Sequence, residues 1–409
     1  MTPGAKEHDE RHHLAARRPR VAVVPFPLTH GHIRRANAWA VLQAVRATGT
    51  TSRPQISERT GLTGMSVHRL IAELRRRGLV VPAGISTAGA VGRPSSLFRF
   101  NASIGHVVGV DVGNETTRAV LATLDGAPRA RRERPTSEIE VDLGGNLRDL
   151  VRDMQREAVV RADALVGVGV GVPAITTVDG TIMRASQHHV WDGLALSGLL
   201  GSSLGRQVLV TQDDQLATLA ELHRGACVGV RNALVLDIGK GIGVGIVADG
   251  SVYAGVHSAA GRVAWIRVPG EGAVGDGVQL GSLVTADGLI RDYRRFGGTS
   301  VAHGAIDVFR ADAASDEAAT LAVDLFADRL GWLIAVLVAV LDPERVVIGG
   351  GISASFGRLS AGLARRLGES VAAPPPVVGS DLGPEAVVTG AIDAALQIAD
   401  AWLQERIGA

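Results

Sequence analysis

The feature that most limits what this chain can fold into is a pattern that occurs twice. Val107-Val108-Gly109-Val110-Asp111-Val112-Gly113 is an apolar run closed by Asp-x-Gly, followed by a second apolar run at 117–124 and by Asp125-Gly126. The pattern returns as Ala233-Leu234-Val235-Leu236-Asp237-Ile238-Gly239, a run at 243–248, and Asp249-Gly250. Short apolar runs bounded by Gly and Asp turns read as buried strands. Two copies imply an internal duplication, two related α/β lobes facing a cleft. Gly167-Val168-Gly169-Val170-Gly171-Val172-Pro173 and Val346-Val347-Ile348-Gly349-Gly350-Gly351 add further strands that end in tight turns.

The first hundred residues have a different texture. Val67, Leu70, Ile71 and Leu74 recur at i, i+3, i+4 and i+7, one stripe of an amphipathic helix. Thr63 can cap its start, and Gly78 stands where a left-handed residue ends helices. Ser66, His68, Arg69 and Arg76 lie off the stripe and are hydrogen-bonding or basic. An earlier helix is expected over 33–48, with Ala38, Val41, Leu42 and Val45 facing inward. Ser52-Arg53-Pro54-Gln55 opens another with a capping-box pattern. Leu79-Val80-Val81 and Leu97-Phe98-Arg99-Phe100 are strand-like and joined by the loop 82–96. Three helices and a two-stranded hairpin make a winged helix-turn-helix, with Ser66, His68 and Arg69 as groove contacts. Arg93, in Gly92-Arg93-Pro94, is placed to reach a minor groove. Residues 1–30 carry Pro19, Pro25 and Pro27 without a sustained period and read as a flexible tail.

Charge divides the chain at the same place. Residues 1–100 hold sixteen Lys and Arg against five Asp and Glu, whereas 101–409 hold twenty-six against thirty-six. A basic module on an acidic body points to a polyanion partner for the first part alone. The single cysteine, Cys227, can form neither an internal disulfide nor a thiolate cage, which fits a reducing cytoplasm. The apolar run 331–341 is far short of the ~20 residues a membrane span needs, so a buried helix is expected there and no membrane partner.

In order and spacing these residues resemble the ROK family of transcriptional regulators. The likeness covers roughly 33–400 and rests on Gly61-Leu62-Thr63, Gly92-Arg93-Pro94, Asp111-x-Gly113, Gly169-x-Gly171-x-Pro173, Trp191, Gln212-Asp213, the alternating glycines Gly239 to Gly245, the stretch Gly255 to Gly261, and Gly349 to Gly351. It implies a winged head on a two-lobed actin/hexokinase-like body. The head spans 31–100 and the body 101–409, with a small lobe of about 101–212 plus the C-terminal helix and a large lobe of about 213–385. It also implies operator DNA as partner, a sugar or sugar-derivative effector, and a homodimer or tetramer.

Against the kinases of that family the site is altered. Their first phosphate turn reads Asp-x-Gly-Gly-Thr-Lys, whereas this one reads Asp111-Val112-Gly113-Asn114-Glu115-Thr116. Glu115 sets a carboxylate where phosphate oxygens would sit, and like charges ~4 Å apart repel by several kcal/mol near a surface. Lys240 stands where Thr is usual in the second turn, either compensating Glu115 or pairing with it. Asp111, Gly113, Gly239, Gly241 and Gly243 are therefore expected as a vestigial phosphate cradle. Asp213 matches the kinases' catalytic Asp. Gln212 replaces a sugar-binding Asn, and Arg262 and Trp265 replace a Glu and a His. Gln212, Asp213, Arg262 and Trp265 are the expected effector contacts. Arg262 and Trp265 either set a new specificity or fill a disused pocket, with Arg262 paired to Asp213 or Asp214. The zinc motif is missing, since 271–281 holds no Cys and no His. No metal, cofactor or kinase activity is expected. A sugar kinase with a DNA-binding head and a scaffold with vestigial sites are the competing readings.

Overall fold

A computed structural model describes residues 30–86, 95–185, 187–270, 273–299 and 302–408. Arg93 and the expected tail up to residue 29 lie outside the described residues.

The head contains α1 (His30–Thr48), β1 (Thr50–Ser52), α2 (Arg53–Thr60), α3 (Gly64–Arg76), β2 (Val80–Ser86) and β3 (Ser95–Phe100). The first helix begins three residues before the expected start; Pro27 is the last proline ahead of it, so nothing at 30–32 opposes the helix. Gln55 reaches back to accept from the Ser52 N–H at 2.9 Å, which fixes the entry of α2. Gly61 ends α2 in the left-handed region at φ 69°, and its N–H bonds the Ser57 carbonyl. The Thr63 hydroxyl then caps α3, accepting from the Ser66 N–H at 3.3 Å. The wing carries a strand that periodicity did not reveal. Three-residue β1 pairs antiparallel with β3, giving a sheet in the order β1-β3-β2.

The body begins with β4 (His106–Val112), β5 (Thr116–Thr123), β6 (Pro128–Pro135), α4 (Leu143–Glu157), β7 (Leu165–Val172), β8 (Ala174–Thr176), β9 (Ile182–Ala185), α5 (Leu196–Leu204), β10 (Gln207–Gln212) and α6 (Asp213–Arg224). It continues with β11 (Ala233–Ile238), β12 (Ile242–Ala248), β13 (Ser251–Val252), β14 (Arg267–Gly270), β15 (Ala273–Gln279), α7 (Ala286–Arg295), α8 (Ala305–Ala313), α9 (Glu317–Leu341), β16 (Arg345–Gly349), α10 (Phe356–Ser370), β17 (Val377–Gly379) and α11 (Ala386–Gly408).

The two main sheets run β10-β7-β4-β5-β6 and β17-β16-β11-β12-β13. In each, the central strand pairs antiparallel with the next strand in sequence and parallel with the one beyond its first crossover helix. The outer partners repeat the same senses. The duplicated sequence pattern is thus a duplicated topology.

The closing helices are exchanged between the repeats. The helix after the first repeat, α6, packs on β11 and β12 of the second sheet, whereas α11 returns to β4 and β7 of the first. Glycines make both crossings possible. A Cβ on Gly169 would lie 2.1 Å from the Ala391 carbonyl of α11, and one on Gly245 would lie 1.5 Å from the Thr218 hydroxyl of α6. The alternating glycines of β7 and β12 are therefore close-packing positions, where a side chain would push a helix off its sheet.

The expected apolar helix is the second half of α9, whose Leu333, Ile334 and Val338 are buried in the core of the second sheet, whereas Trp332, Val336, Val340 and Leu341 of the same run are exposed. Residues 383–408 are long and apolar enough by composition to cross a membrane, yet 67% of their apolar eighteen-residue stretch is buried inside the fold.

One apolar core runs from head to body. Val41, Leu42, Ile71, Leu74 and Phe98 of the head share it with Val107 and Val120 of the first sheet and Leu403 and Ile407 of α11. Leu403 is fully buried. The head is joined to the first lobe by packing as well as by chain.

Candidate nucleic-acid interface and inter-lobe cleft

The face of α3 turned from the core exposes Met65, His68, Arg69, Arg75 and Arg76. His68 and Arg69 have no partner among the described residues, so their donors are available to a ligand. Ser66 is half-buried, and its hydroxyl is already bonded by Thr63 at 3.0 Å. Met65, 71% exposed at the start of the helix, was not singled out by the sequence. Its signal is an apolar residue off the inner stripe, left exposed near the start of the helix that also exposes His68 and Arg69.

The far end of α3 is tied down. Glu73 is buried and accepts from Arg34 of α1 at 2.6 and 3.1 Å and from Arg77 at 3.0 Å. Arg77 also donates to the Arg406 carbonyl of α11 at 3.0 Å, and Arg35 to the Gly408 carbonyl at 3.2 Å. Arg46 pairs with Asp400 of α11 at 2.5 Å. Cations of the head thus satisfy the last carbonyls of a helix that belongs to the body, the favourable placement for positive charge at a helix C-terminus.

Between the lobes lies a cleft of about 600 Å³. Its walls include the turn Gly113 to Thr116, the turn Gly239 to Gly241, Asp213 and Asp214 at the start of α6, Arg262, Trp265, Gly350 and Gly351, and Val387 on α11. Cβ atoms on Gly239 and Gly241 would meet nothing within 4 Å, whereas one on Gly243 would strike Asp214 at 2.7 Å. The first two glycines form an open turn; the third is needed for packing.

Glu115 and Lys240 meet across the cleft at 2.5 Å, one from each repeat. This contact raises the Lys240 pKa through its hydrogen bond to Glu115. Of the two arrangements left open by the sequence, the structure has the pair formed. Arg118 lies 3.6 Å from Asp111, and the buried Asn114 Oδ1 has no hydrogen-bond partner among the described residues.

At the other end Arg262 is nearly enclosed, its side chain 12% exposed. Its Nε donates to Gln212 Oε1 at 2.5 Å and its Nη2 to the Ala174 carbonyl at 3.0 Å. Asp214 is 3.5 Å and Asp213 3.8 Å from the same nitrogen. Gln212 is fully buried behind Arg262, its amide bonded to the Ser258 carbonyl, and lies outside the cleft wall. The orientation is that of a support for Arg262, a role its sequence neighbours could not indicate. Trp265 does line the cleft, with the Arg184 guanidinium 4.9 Å above its ring.

The cleft gathers carboxylates. Burial and the neighbouring Asp214 push Asp213 up to about 6. Burial, Asp213 and Asp214 push Asp237 up to about 7. Asp111 is raised well above the ordinary carboxylate range by burial and Asp213. Among the described residues both Asp214 oxygens are buried without a hydrogen bond, and Arg262 is the cation beside them. Asp213 keeps a quarter of its side chain exposed and so remains available to a molecule in the cleft.

Two other residues are structural. His188 stacks on Trp191 at 4.2 Å and lies 2.8 Å from the Glu140 carboxylate. Cys227 is buried, and its thiol is pushed up to about 12, first by burial, so it is no nucleophile near neutrality.

Residues 107–398 match the ROK family, and residues 34–81 match a winged helix-turn-helix DNA-binding domain. A glucokinase of Halalkalibacterium halodurans is 32% identical over 272 residues, 60% of this chain and 80% of that protein. A xylose repressor of Caldicellulosiruptor bescii is 23% identical over 347 residues, 81% of this chain and 86% of that protein. A solved ROK transcriptional regulator, described as a homologue of the E. coli MLC protein, superposes with a TM-score of 0.76 at 22% identity, covering 92% of this chain and 99% of its own. The last likeness is one of fold. The chain belongs to the ROK family, its body preceded by a winged helix-turn-helix.

Proposed function

We propose that this chain is a DNA-binding transcriptional regulator, a repressor of carbohydrate-related genes, whose body senses a small ligand instead of phosphorylating it. The observation that carries the reading is the single core shared by α3, the first sheet and α11. The N-terminal end of α11 lines the cleft through Val387, and its C-terminal end receives Arg77 from just beyond α3. A helix of 23 residues spans roughly 35 Å, so one rigid rod connects ligand site to DNA-reading helix. A ligand that prefers one lobe arrangement shifts the population of head positions. The working form is a cytoplasmic homo-oligomer that presents two heads to a partly palindromic operator, its half-sites one helical turn apart.

The names of the xylose repressor and of the glucokinase support a sugar or sugar derivative as the ligand. Ser66, His68, Arg69 and Arg93 are assigned to DNA, and Asp213, Arg262 and Trp265 to the effector, with Gln212 acting through Arg262. Binding of the purified chain to its own upstream DNA, weakened or strengthened by members of a sugar panel, tests this. Failure to bind DNA with a steep salt dependence removes it.

A second reading, residual phosphoryl transfer to a sugar hydroxyl, is favoured by one observation. Asp213 lines the cleft with a quarter of its side chain exposed, and burial together with Asp214 raises its pKa towards the range of a general base. The phosphate side opposes it, because Glu115 sets a carboxylate, paired to Lys240, in the turn that would cradle the nucleotide. Sugar-dependent ADP production abolished by Asp213→Asn would establish the kinase.

A further inference from the structure

A second pocket, of about 520 Å³, lies on the seam between head and body and is lined by Arg34, Glu73, Arg76, Arg77 and Arg406. Four guanidinium groups face one carboxylate there, and that carboxylate is already shared by Arg34 and Arg77 at 2.6 and 3.0 Å. Arg76 has no partner among the described residues. Arg406 stacks on Trp402 at 4.7 Å and has no ion-pair partner among them. Arg77 holds Glu73 through one terminal nitrogen and the Arg406 carbonyl through the other, while its buried Nε has no acceptor among the described residues. Four cations share one carboxylate here, so the cluster holds more donors than acceptors and carries a net positive charge that a further anion would balance.

We propose that this pocket binds a phosphate oxyanion, gripped by Arg76 and Arg77 from the head and by Arg406 from the body. Planar guanidinium forks match the tetrahedral oxyanion and supply more than one donor each. The phosphate comes either from the backbone of the operator or from a free phosphorylated small molecule. Both sources share the same chemistry and the same residues. In either case the anion joins the two parts of the chain, because α11 contributes one of its ligands. The first source rests on the proposed DNA-binding role; the second does not.

The test uses the full chain, with Arg406→Gln and Arg76→Gln as variants and Arg365→Gln, on α10 and paired to Asp328, as a control. In one arm operator affinity is titrated over a range of salt concentrations. In the other, inorganic phosphate is titrated into the DNA-free protein against chloride at matched ionic strength, read as a shift in melting temperature. If the operator is the source, both variants weaken binding and lower the slope of log K against log salt by about one. If the source is free, phosphate raises the melting temperature of the unaltered chain, and the variants lose that rise while the control keeps it. A protein indifferent to phosphate, with unchanged operator affinity and slope in both variants, overturns the proposal. A chain that binds no DNA but answers to phosphate would sink the regulator reading and leave the pocket standing.

Discussion

Truncating Leu403 to Ala tests whether head and body are one folded unit. Leu403 is fully buried on α11 among Val41, Leu74 and Phe98 of the head and Val107 of the first sheet. Removing a buried Leu side chain costs about 2–5 kcal/mol, from lost transfer energy and the cavity left behind. At about 3 kcal/mol the opening equilibrium of that core rises roughly 100-fold. Native-state hydrogen exchange reads this segment by segment. Amides in α1 and α3 should exchange faster together with those of α11 and β4, although the altered residue lies more than three hundred positions away. Leu363→Ala, in the core of the second sheet, serves as the comparison and should accelerate α9 and α10 more than the head. If Leu403→Ala speeds exchange in α11 and leaves α1 and α3 unchanged, the head folds as a separate body. The proposed coupling through α11 then fails.

Four further outcomes are expected. Arg69→Ala should weaken operator binding by about 1–3 kcal/mol in a gel-shift or anisotropy titration, and no loss removes Arg69 from the reading face. Glu115→Gln should cost at most about 1 kcal/mol in urea unfolding, and less in high salt, because both partners of the pair are substantially exposed. A larger loss would mean that the lobes depend on this bridge. Arg262→Ala should destabilise by about 3 kcal/mol at neutral pH, since it leaves the buried Asp214 and the partly exposed Asp213 without their cation; an unchanged urea midpoint would contradict that balance. Asp213 and Asp237, held at about 6 and about 7, keep protons that the unfolded chain releases near pH ~4. Their contribution to stability therefore falls as pH rises from about 4 to about 7. Asp237→Asn should flatten that part of the curve, and an unaltered slope would show that Asp237 titrates as an ordinary carboxyl.

Local signals carried much of this architecture. The stripe Val67, Leu70, Ile71 and Leu74 and the cap Thr63 located α3 because a helix buries one face at a fixed period. The repeated Asp-x-Gly turns disclosed two lobes because each marks the end of a buried strand. Contacts between distant positions left no such trace. Nothing around Thr50–Ser52 announces a strand, which exists because β3 offers an edge. The glycines of β12 read as phosphate turns, yet Gly243 and Gly245 are set by Asp214 and Thr218 of α6 packed against them. Gln212 stands beside Asp213 in sequence but turns behind Arg262, fifty residues on. The arginines of the seam come from α1, from the end of α3 and from α11, and only the shared core brings them together.

The most direct measurement of the central claim is operator affinity in the presence and absence of each member of a panel of sugars and sugar phosphates, followed by fluorescence anisotropy. A sensor coupled to its head should show at least one compound that changes affinity by about 5–150-fold, the range of ordinary allosteric coupling, and the operator should change that compound's affinity by the same factor. Arg262→Ala should remove the response. Operator binding indifferent to every compound, while sugar-dependent ADP production proceeds, would contradict the account and return the cleft to catalysis.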